Sequence, residues 1–152
     1  MKAVLTRVLS ASVALRDGAC AGQTRATGPG YLVLLGVGQD DDEASAKKLV
    51  DKILALRVFS NAEGKFDSSI LDVKGELLLV SQFTLFAGLK GGRRPDFAAA
   101  ARPEKAEPLY RRVAALLADS GLAVRTGEFG AHMVVDSVND GPVTILVDTA
   151  QF

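Results

Sequence analysis

Apolar residues recur with two different periods along the chain and predict strands with two helices between them. Lys2 to Val13 is rich in Val and Leu and predicts a strand with a bend around Ser10 to Ser12. Tyr31 to Val37 is a continuous apolar run of strand length, which indicates burial on both faces. Glu76 to Gln82 predicts a further strand. Shorter strands are expected at Leu56 to Phe59, Ala123 to Arg125, Met133 to Val138 and Val143 to Thr149.

Two segments have helical spacing. After Asp40-Asp41-Asp42, apolar residues recur at Ala46, Leu49, Val50 and Ile53. Carboxylates at a helix start bind its exposed N–H groups, so helix capping is favoured over a metal site. Pro103 suits the first turn of a second helix, with Gly121 at its end. Its apolar face carries Ala106, Leu109, Tyr110, Val113, Leu116 and Leu117.

This order of elements favours an α+β fold over a strictly alternating parallel sheet. The chain of 152 residues, 48% hydrophobic, is long enough for one domain covering residues 1–152. Lys plus Arg and Asp plus Glu both number 18, which argues against coating nucleic acid by bulk charge. A single cysteine, no signal peptide and no apolar run of about 20 residues predict a soluble cytoplasmic protein without a membrane partner.

Side-chain catalysts are scarce. His132 is the only histidine and Cys20 the only cysteine, so a zinc site of the usual kind is not available and no cofactor is expected. We expect His132 to point outward from a strand. No Gly-x-Ser-x-Gly, dinucleotide-binding or P-loop motif is present, and Gly88 to Gly92 lacks the required Lys-Ser/Thr ending.

Ser81-Gln82-Phe83-Thr84-Leu85 follows directly from a predicted strand. Backbone N–H groups at a strand end run out of ladder partners and can bind an incoming oxyanion. The hydroxyls of Ser81 and Thr84 could equally satisfy local backbone groups. Thr84 could act as a nucleophile, but no basic partner lies nearby in the sequence.

Lys90, Arg93 and Arg94 lie in a glycine-containing loop, Phe86 to Pro95. Arginine can bind phosphate with two hydrogen bonds, and glycine permits close approach of the backbone. A solvated loop is the equally weighted alternative.

Asn139-Asp140-Gly141-Pro142-Val143-Thr144 lies between two strand-like segments, where it predicts a hairpin turn. Its Gly-Pro pair also suits another use. Proline fixes its own φ, and glycine tolerates almost any conformation, so the pair can aim a carbonyl rigidly with no side chain in the way. Both interpretations remain open from the residues alone.

Taken together, these motifs resemble the D-aminoacyl-tRNA deacylases. The resemblance covers nearly the whole chain. It rests on Arg7-Val8, Val33 to Val37, Ser81 to Leu85, Arg94 to Phe97, Phe129-Gly130-Ala131 with Met133, and Asn139 to Thr144.

The resemblance implies a homodimer with a layered α+β sandwich fold. Its members hydrolyse the ester that joins a D-amino acid, or a mischarged glycine, to the terminal adenosine of tRNA. The Gly141-Pro142 peptide, cis in this family, would enter the partner subunit's site and exclude L side chains. The tRNA 2′-hydroxyl would assist hydrolysis, which fits the lack of a base near Thr84.

The resemblance also implies roles for individual residues. Ser81, Gln82, Phe83 and Thr84 would form the catalytic segment. Arg7 would hold the Gly-Pro loop, while Phe129, Met133 and the small Ala106 would border the adenosine pocket. The chain departs from the usual pattern at Thr6, where glutamine is common, and in the Arg16 to Gly30 connector, which is a few residues longer. A nucleic-acid-binding module on the same scaffold is the alternative function.

Overall fold

A computed structural model describes all residues from Met1 to Phe152. Neither α-helix is long and apolar enough to cross a membrane. Two short 3₁₀ helices cover Phe83–Phe86 and Thr149–Gln151. The strands and α-helices are β1 (Lys2–Leu15), β2 (Thr24–Thr27), β3 (Gly30–Gly36), α1 (Glu43–Ala55), β4 (Phe59–Ser60), β5 (Phe66–Ser68), β6 (Glu76–Ser81), α2 (Pro103–Ala118), β7 (Val124–Thr126) and β8 (Met133–Asp148).

The predicted α+β architecture with two main helices is confirmed. Its β layers are a six-stranded mixed sheet and a two-stranded ribbon of β4 and β5. β1 organises the large sheet, because β8 pairs along nearly its whole length while β3 and β2 pair with its first and second halves. β3, β6 and β7 run parallel to one another, so their carboxyl ends meet at one edge of the sheet.

Both faces of β3 are covered, which explains its continuous apolar sequence. Tyr31, Val33 and Leu35 face the core shared with α1 and α2. Leu32 belongs to a second, smaller core on the other face, together with Leu78 of β6. Truncating a fully buried leucine such as Leu78 to alanine removes about 2–5 kcal/mol of stability in a core of this kind.

The predicted hairpin at Asn139–Thr144 is wrong. The segments before and after it do not pair with each other, because both belong to β8 and both pair with β1. Thr144 lies opposite Thr6 and Asn139 lies opposite Val8, so residues 140–143 bulge from the strand opposite Arg7. The irregularity of β1 therefore falls between Thr6 and Ser10, slightly before the predicted bend.

Helix α1 begins as the acidic run predicts, but only one of its acids caps it. Asp42 accepts a hydrogen bond from Ser45 N at 2.8 Å. Asp41 is buried and pairs with the α-amino group of Met1, which the sequence pattern did not reveal. The strand expected at Leu56 begins only at Phe59, because Leu56 still bonds to the last turn of α1 through its N–H.

Candidate active site

A cavity of about 630 Å³ opens at the carboxyl ends of β3 and β6. In parallel sheets this edge is where ligands usually bind. Most of the lining is apolar, with polar groups at the end of β6 and at the start of α2. Of the residues predicted to form the site, Ser81, Gln82, Phe83, Ala106, Phe129 and Met133 line this cavity. Thr84, Arg7, Gly141 and Pro142 do not.

The strand end at Ser81 has the predicted form. The last ladder bond runs from Gln82 N to Leu35 O at 2.7 Å, after which the chain turns into the 3₁₀ helix. Phe83 and Thr84 are the first two residues of this helix. Since the first N–H groups of a helix have no acceptor within it, these two amides are available to a ligand.

Thr84 lies beside a group that cannot accept its proton. Its hydroxyl oxygen accepts a hydrogen bond from the side-chain amide of Gln82. An activated threonine needs an adjacent base such as a neutral amine or imidazole. The Thr84 side chain is also exposed and outside the cavity lining, so the geometry favours a positioning role.

Helix α2 supplies one wall of the cavity. Ala106 is only 7% exposed, and its small side chain leaves the space that a larger residue would fill. Tyr110, one turn later, donates from its hydroxyl to Leu79 O at 2.9 Å. Burial raises the pKa of Tyr110 above its ordinary value, so the phenol remains protonated and a donor. Sequence spacing put Tyr110 on the apolar face of the helix but did not identify it as a cavity residue.

The facing wall is the segment between β7 and β8, residues 127–132, which we call the wall segment. Its Phe129 ring packs against Tyr110 with ring centroids 5.9 Å apart. Gly127 is buried, and a Cβ atom there would lie 2.5 Å from Met133 Sδ. The absence of a side chain at Gly127 thus lets Met133 pack into the cavity lining.

Three further lining residues were not predicted as site residues. Phe97 packs edge-on against Phe83 with centroids 5.0 Å apart, and Arg102 contributes from the residue before α2. His132 was expected to point away into solvent. It is exposed, but it belongs to the cavity rim. Its position just before β8 gave no periodic signal that could have shown this.

Arg7 connects the Gly-Pro bulge to the body of the protein. Its side chain is nearly buried, and Nη1 donates to Val58 O at 2.5 Å. Nε lies 3.0 Å from the Asp140 carboxylate and 3.2 Å from the Asp140 backbone oxygen. The guanidinium also lies over the Phe66 ring, 5.7 Å from its centroid. These contacts give Arg7 local support without the glutamine that is common at position 6.

The neck of the bulge is closed by its own side chains. Asn139 Oδ1 accepts from Val143 N at 3.1 Å, and Asn139 Nδ2 donates to Thr144 Oγ1 at 3.2 Å. The Gly141-Pro142 peptide is cis. Gly141 has a φ of +128°, and a Cβ atom there would lie 2.6 Å from Val143 Cγ2. Only glycine fits this position without displacement.

With this geometry established, comparison with known proteins identifies the family. The sequence matches the family model described as D-Tyr-tRNA(Tyr) deacylase over residues 4–148. It is 53% identical to the D-aminoacyl-tRNA deacylase of Symbiobacterium thermophilum, over 98% of this chain and 96% of that protein. The chain belongs to the D-aminoacyl-tRNA deacylase family. As a member of this deacylase family it is a hydrolase.

Further relatives match this chain over nearly its full length. The Thermotoga petrophila D-aminoacyl-tRNA deacylase is 46% identical and covers 99% of both chains. The solved structure of a c-Myc DNA Unwinding Element Binding Protein superposes with a TM-score of 0.87 at 40% identity, over 97% of this chain and 98% of that one. A probable eukaryotic D-amino acid tRNA deacylase has a TM-score of 0.83 at 16% identity, over 96% and 97%, and shares the deacylase fold.

The loop from Phe86 to Pro95 of this deacylase-family chain, which we call the basic loop, leads into the cavity lining. Residues 88 and 96 close its base, with Gly88 N bonding to Asp96 O at 2.6 Å. Lys90, Arg93 and Arg94 are exposed, and none of them forms an ion pair. The loop then continues into Phe97 on the cavity rim. Three cations without ion-pair partners therefore lie in a loop whose second arm leads into the cavity lining.

Proposed function

We propose that this chain edits aminoacyl-tRNA by hydrolysing esters of D-amino acids, with the Gly141-Pro142 segment of a second copy rejecting L-amino acids. The observation that carries this proposal is the placement of that segment. It is anchored by Arg7 and closed by Asn139, yet it is exposed and lies outside the cavity of its own chain. A segment that is held in place by the body of the protein but does not line the cavity of its own chain suits action on a partner.

The cavity suits the terminal adenosine of tRNA. Phe129 offers an aromatic face, and aromatic stacking is how proteins commonly hold unpaired bases. Met133 supplies an adaptable apolar contact and Ala106 leaves the room that the base needs. The adenosine would then present its ester to the Ser81–Thr84 segment at the end of β6.

L-amino acids would be rejected by steric exclusion of their side chains. Carbonyl oxygens of Gly141 and Pro142 would occupy the position that an L side chain requires and leave room only for hydrogen. A D-amino acid directs its side chain elsewhere, and glycine has none, so esters of both would be accepted. Specificity of this kind depends on a steric clash with the wrong substrate rather than on extra contacts to the right one.

The exposed surface of β8 supports a homodimer. β8 pairs only with β1, which leaves its other edge without a partner. Val138 is 53% exposed and Leu146 is 79% exposed, on either side of the Gly-Pro bulge. An edge strand with large exposed apolar residues is a common site of protein association.

Catalysis would use the RNA itself. The side chain bonded to Thr84 is the Gln82 amide, which is not a base, and the Phe83 and Thr84 amides at the start of the 3₁₀ helix would bind the developing oxyanion. The 2′-hydroxyl of the terminal adenosine, adjacent to the ester, would assist the attack of water. A substrate ending in 2′-deoxyadenosine should therefore be cleaved far more slowly.

The alternative is a nucleic-acid-binding module without deacylase activity. The solved relative at 40% identity favours it, because that protein is described as a c-Myc DNA Unwinding Element Binding Protein. The formal net charge of zero argues against binding by bulk charge.

Parallel incubation with D-tyrosyl-tRNA, L-tyrosyl-tRNA and glycyl-tRNA tests the proposal. We expect rapid loss of the D and glycyl esters and persistence of the L ester. Loss of all esters at the buffer rate, with retained RNA binding, would favour the alternative function.

A further inference from the structure

The connector between β1 and β2 is bound to the wall segment that carries Phe129. Glu128 Oε1 accepts a hydrogen bond from Ala19 N at 2.6 Å, and Oε2 accepts one from Cys20 N at 2.9 Å. Asp17 Oδ1 accepts from His132 N at 2.6 Å. Side chains and backbone thus join residues 16–23, which we call the clasp, to both sides of Phe129.

A bond between two backbone groups strengthens this connection. Arg16 N donates to His132 O at 2.8 Å, so His132 is held through both its N–H and its carbonyl. The start of the wall segment is fixed separately, by Gly127 N to Leu79 O at 2.8 Å and by Arg25 Nη1 to Thr126 O at 2.7 Å. Between these fixed ends, Glu128 is the residue whose side chain bonds the wall segment to the clasp.

The clasp is shaped around the Glu128 carboxylate. Gly18 has a φ of +85°, and a Cβ atom there would lie 2.6 Å from Glu128 Oε1. A side chain at position 18 would push the carboxylate away from the two amides. Hydrogen bonds from the Cys20 and Ala19 amides lower the pKa of Glu128 below its ordinary value, so the clasp is formed with the charged carboxylate.

We propose that Glu128 is a positioning residue of the deacylase site, whose carboxylate, bound by the clasp, fixes the orientation of Phe129 and thereby the affinity for the terminal adenosine. This inference rests on the proposed function, in which the cavity beside Phe129 receives that adenosine. It also gives the long connector a role: its backbone amides hold the cavity wall. The ester and the reacting groups at Ser81–Thr84 are not touched by Glu128.

Steady-state kinetics with D-tyrosyl-tRNA provide the first test. In Glu128→Ala we expect KM to rise about fivefold, at the lower end of typical coupling between linked sites, with little change in kcat. Glu128→Gln keeps one acceptor oxygen, so its KM should lie between those of the unmodified protein and Glu128→Ala. Glu63→Ala is the matched control, because it removes an exposed glutamate from a turn that does not line the cavity and should leave both constants unchanged.

Alkylation of Cys20 by iodoacetamide provides a readout specific to the clasp. Cys20 is the only cysteine, it is half-buried, and its N–H bonds to Glu128. Glu128→Ala should accelerate its alkylation. Because coupling between two sites is reciprocal, a non-hydrolysable 3′-(D-tyrosylamino)adenosine should slow alkylation in the unmodified protein and have much less effect in Glu128→Ala.

The two proposals can fail separately. Unchanged KM and unchanged alkylation in a folded Glu128→Ala protein would overturn the positioning role while leaving the deacylase assignment intact. If Glu128→Ala does not fold, the same two results in Glu128→Gln would overturn it. Absence of D-tyrosyl-tRNA cleavage by the unmodified protein would instead overturn the proposed editing function.

Discussion

The Arg7 side chain binds both the carboxylate and the backbone carbonyl oxygen of Asp140. The guanidinium Nε lies 3.0 Å from the Asp140 carboxylate and 3.2 Å from the Asp140 carbonyl oxygen. Nη1 is meanwhile engaged by Val58 O. A nearly buried arginine on β1 therefore links the Gly-Pro bulge of β8 to the segment that follows α1.

Replacing Arg7 with lysine should relax chiral discrimination. Lysine keeps the charge but lacks the planar fork that serves Asp140 and Val58 together, so residues 140–143 would be held less firmly. We expect the ratio of kcat/KM for D-tyrosyl-tRNA over L-tyrosyl-tRNA to fall at least about tenfold, which is about 1.4 kcal/mol of exclusion. Deacylation rates on the two esters measure this directly.

Arg57→Lys is the control for that substitution. Arg57 is 69% exposed and pairs with Asp67 at 3.8 Å, so its change should leave the ratio unaltered. A folded Arg7→Lys protein with full rejection of the L ester would show that the bulge is positioned without Arg7.

Local sequence patterns could not distinguish the bulge in β8 from a hairpin turn. Asn-Asp-Gly-Pro between two apolar segments carries the same local signals in a hairpin and in a bulge from a single strand. The choice depends on pairing with β1, more than a hundred residues earlier in the chain, which no local pattern records. By contrast, Ser81 at a strand end and Ala106 on a helix face follow from periodicity, and the structure has both.

The cavity wall was harder to predict for a different reason. Tyr110 has ordinary helical spacing and Phe97 lies in a loop without periodicity, so the place of both in the cavity depends on tertiary packing against Phe129 and Phe83. The clasp acts through backbone amides of Ala19 and Cys20, and amides leave no trace in a pattern of side chains. Such contacts become visible only in three dimensions.

A larger residue at position 106 should block the substrate. The Ala106 side chain is buried at the cavity, so Ala106→Leu would fill space proposed for adenosine. We expect kcat/KM for D-tyrosyl-tRNA to fall about 100-fold, as for other misplaced substrates. Ala115→Leu, at an exposed position of the same helix, should retain full activity. Equal activity of the two variants would contradict adenosine binding beside Ala106.

Removing the Thr84 hydroxyl should cost little activity. The hydroxyl is exposed and accepts a bond from the Gln82 amide, which cannot serve as a base. Thr84→Ala should therefore lose far less than the roughly 10⁶-fold expected when a nucleophile is deleted. Single-turnover deacylation of D-tyrosyl-tRNA measures the chemical step. Complete loss of turnover with unchanged fold and binding would restore the nucleophile model.

The basic loop should contact the phosphates of tRNA. Replacing Lys90, Arg93 and Arg94 with serine should weaken binding of full-length tRNA and reduce its salt dependence by about 0.7–0.9 in log–log slope per lost contact. Cleavage of D-tyrosyl-adenosine, which has no phosphates, should be unaffected. The matched control replaces the exposed Lys47, Arg57 and Lys65. An equal loss of affinity in the control would show that only total charge matters.

The Asp42 cap should stabilise the fold in a pH-dependent manner. Hydrogen bonds from the Ser45 N–H and hydroxyl hold the pKa of Asp42 below its ordinary value of 3.8. A carboxyl with a lowered pKa stabilises the folded state above its unfolded pKa, and this contribution is lost as the pH falls through the folded pKa. Asp42→Ala should therefore lower Tm by a constant amount from neutral pH to about pH 5, and the difference in Tm should shrink below pH 3.8.

Thermal unfolding across this pH range measures the difference in Tm between Asp42→Ala and the unmodified protein. Asp40→Ala, which removes a neighbouring exposed acid, is the control. A gap that stays constant in acid would mean that the cap does not depend on the charge of Asp42.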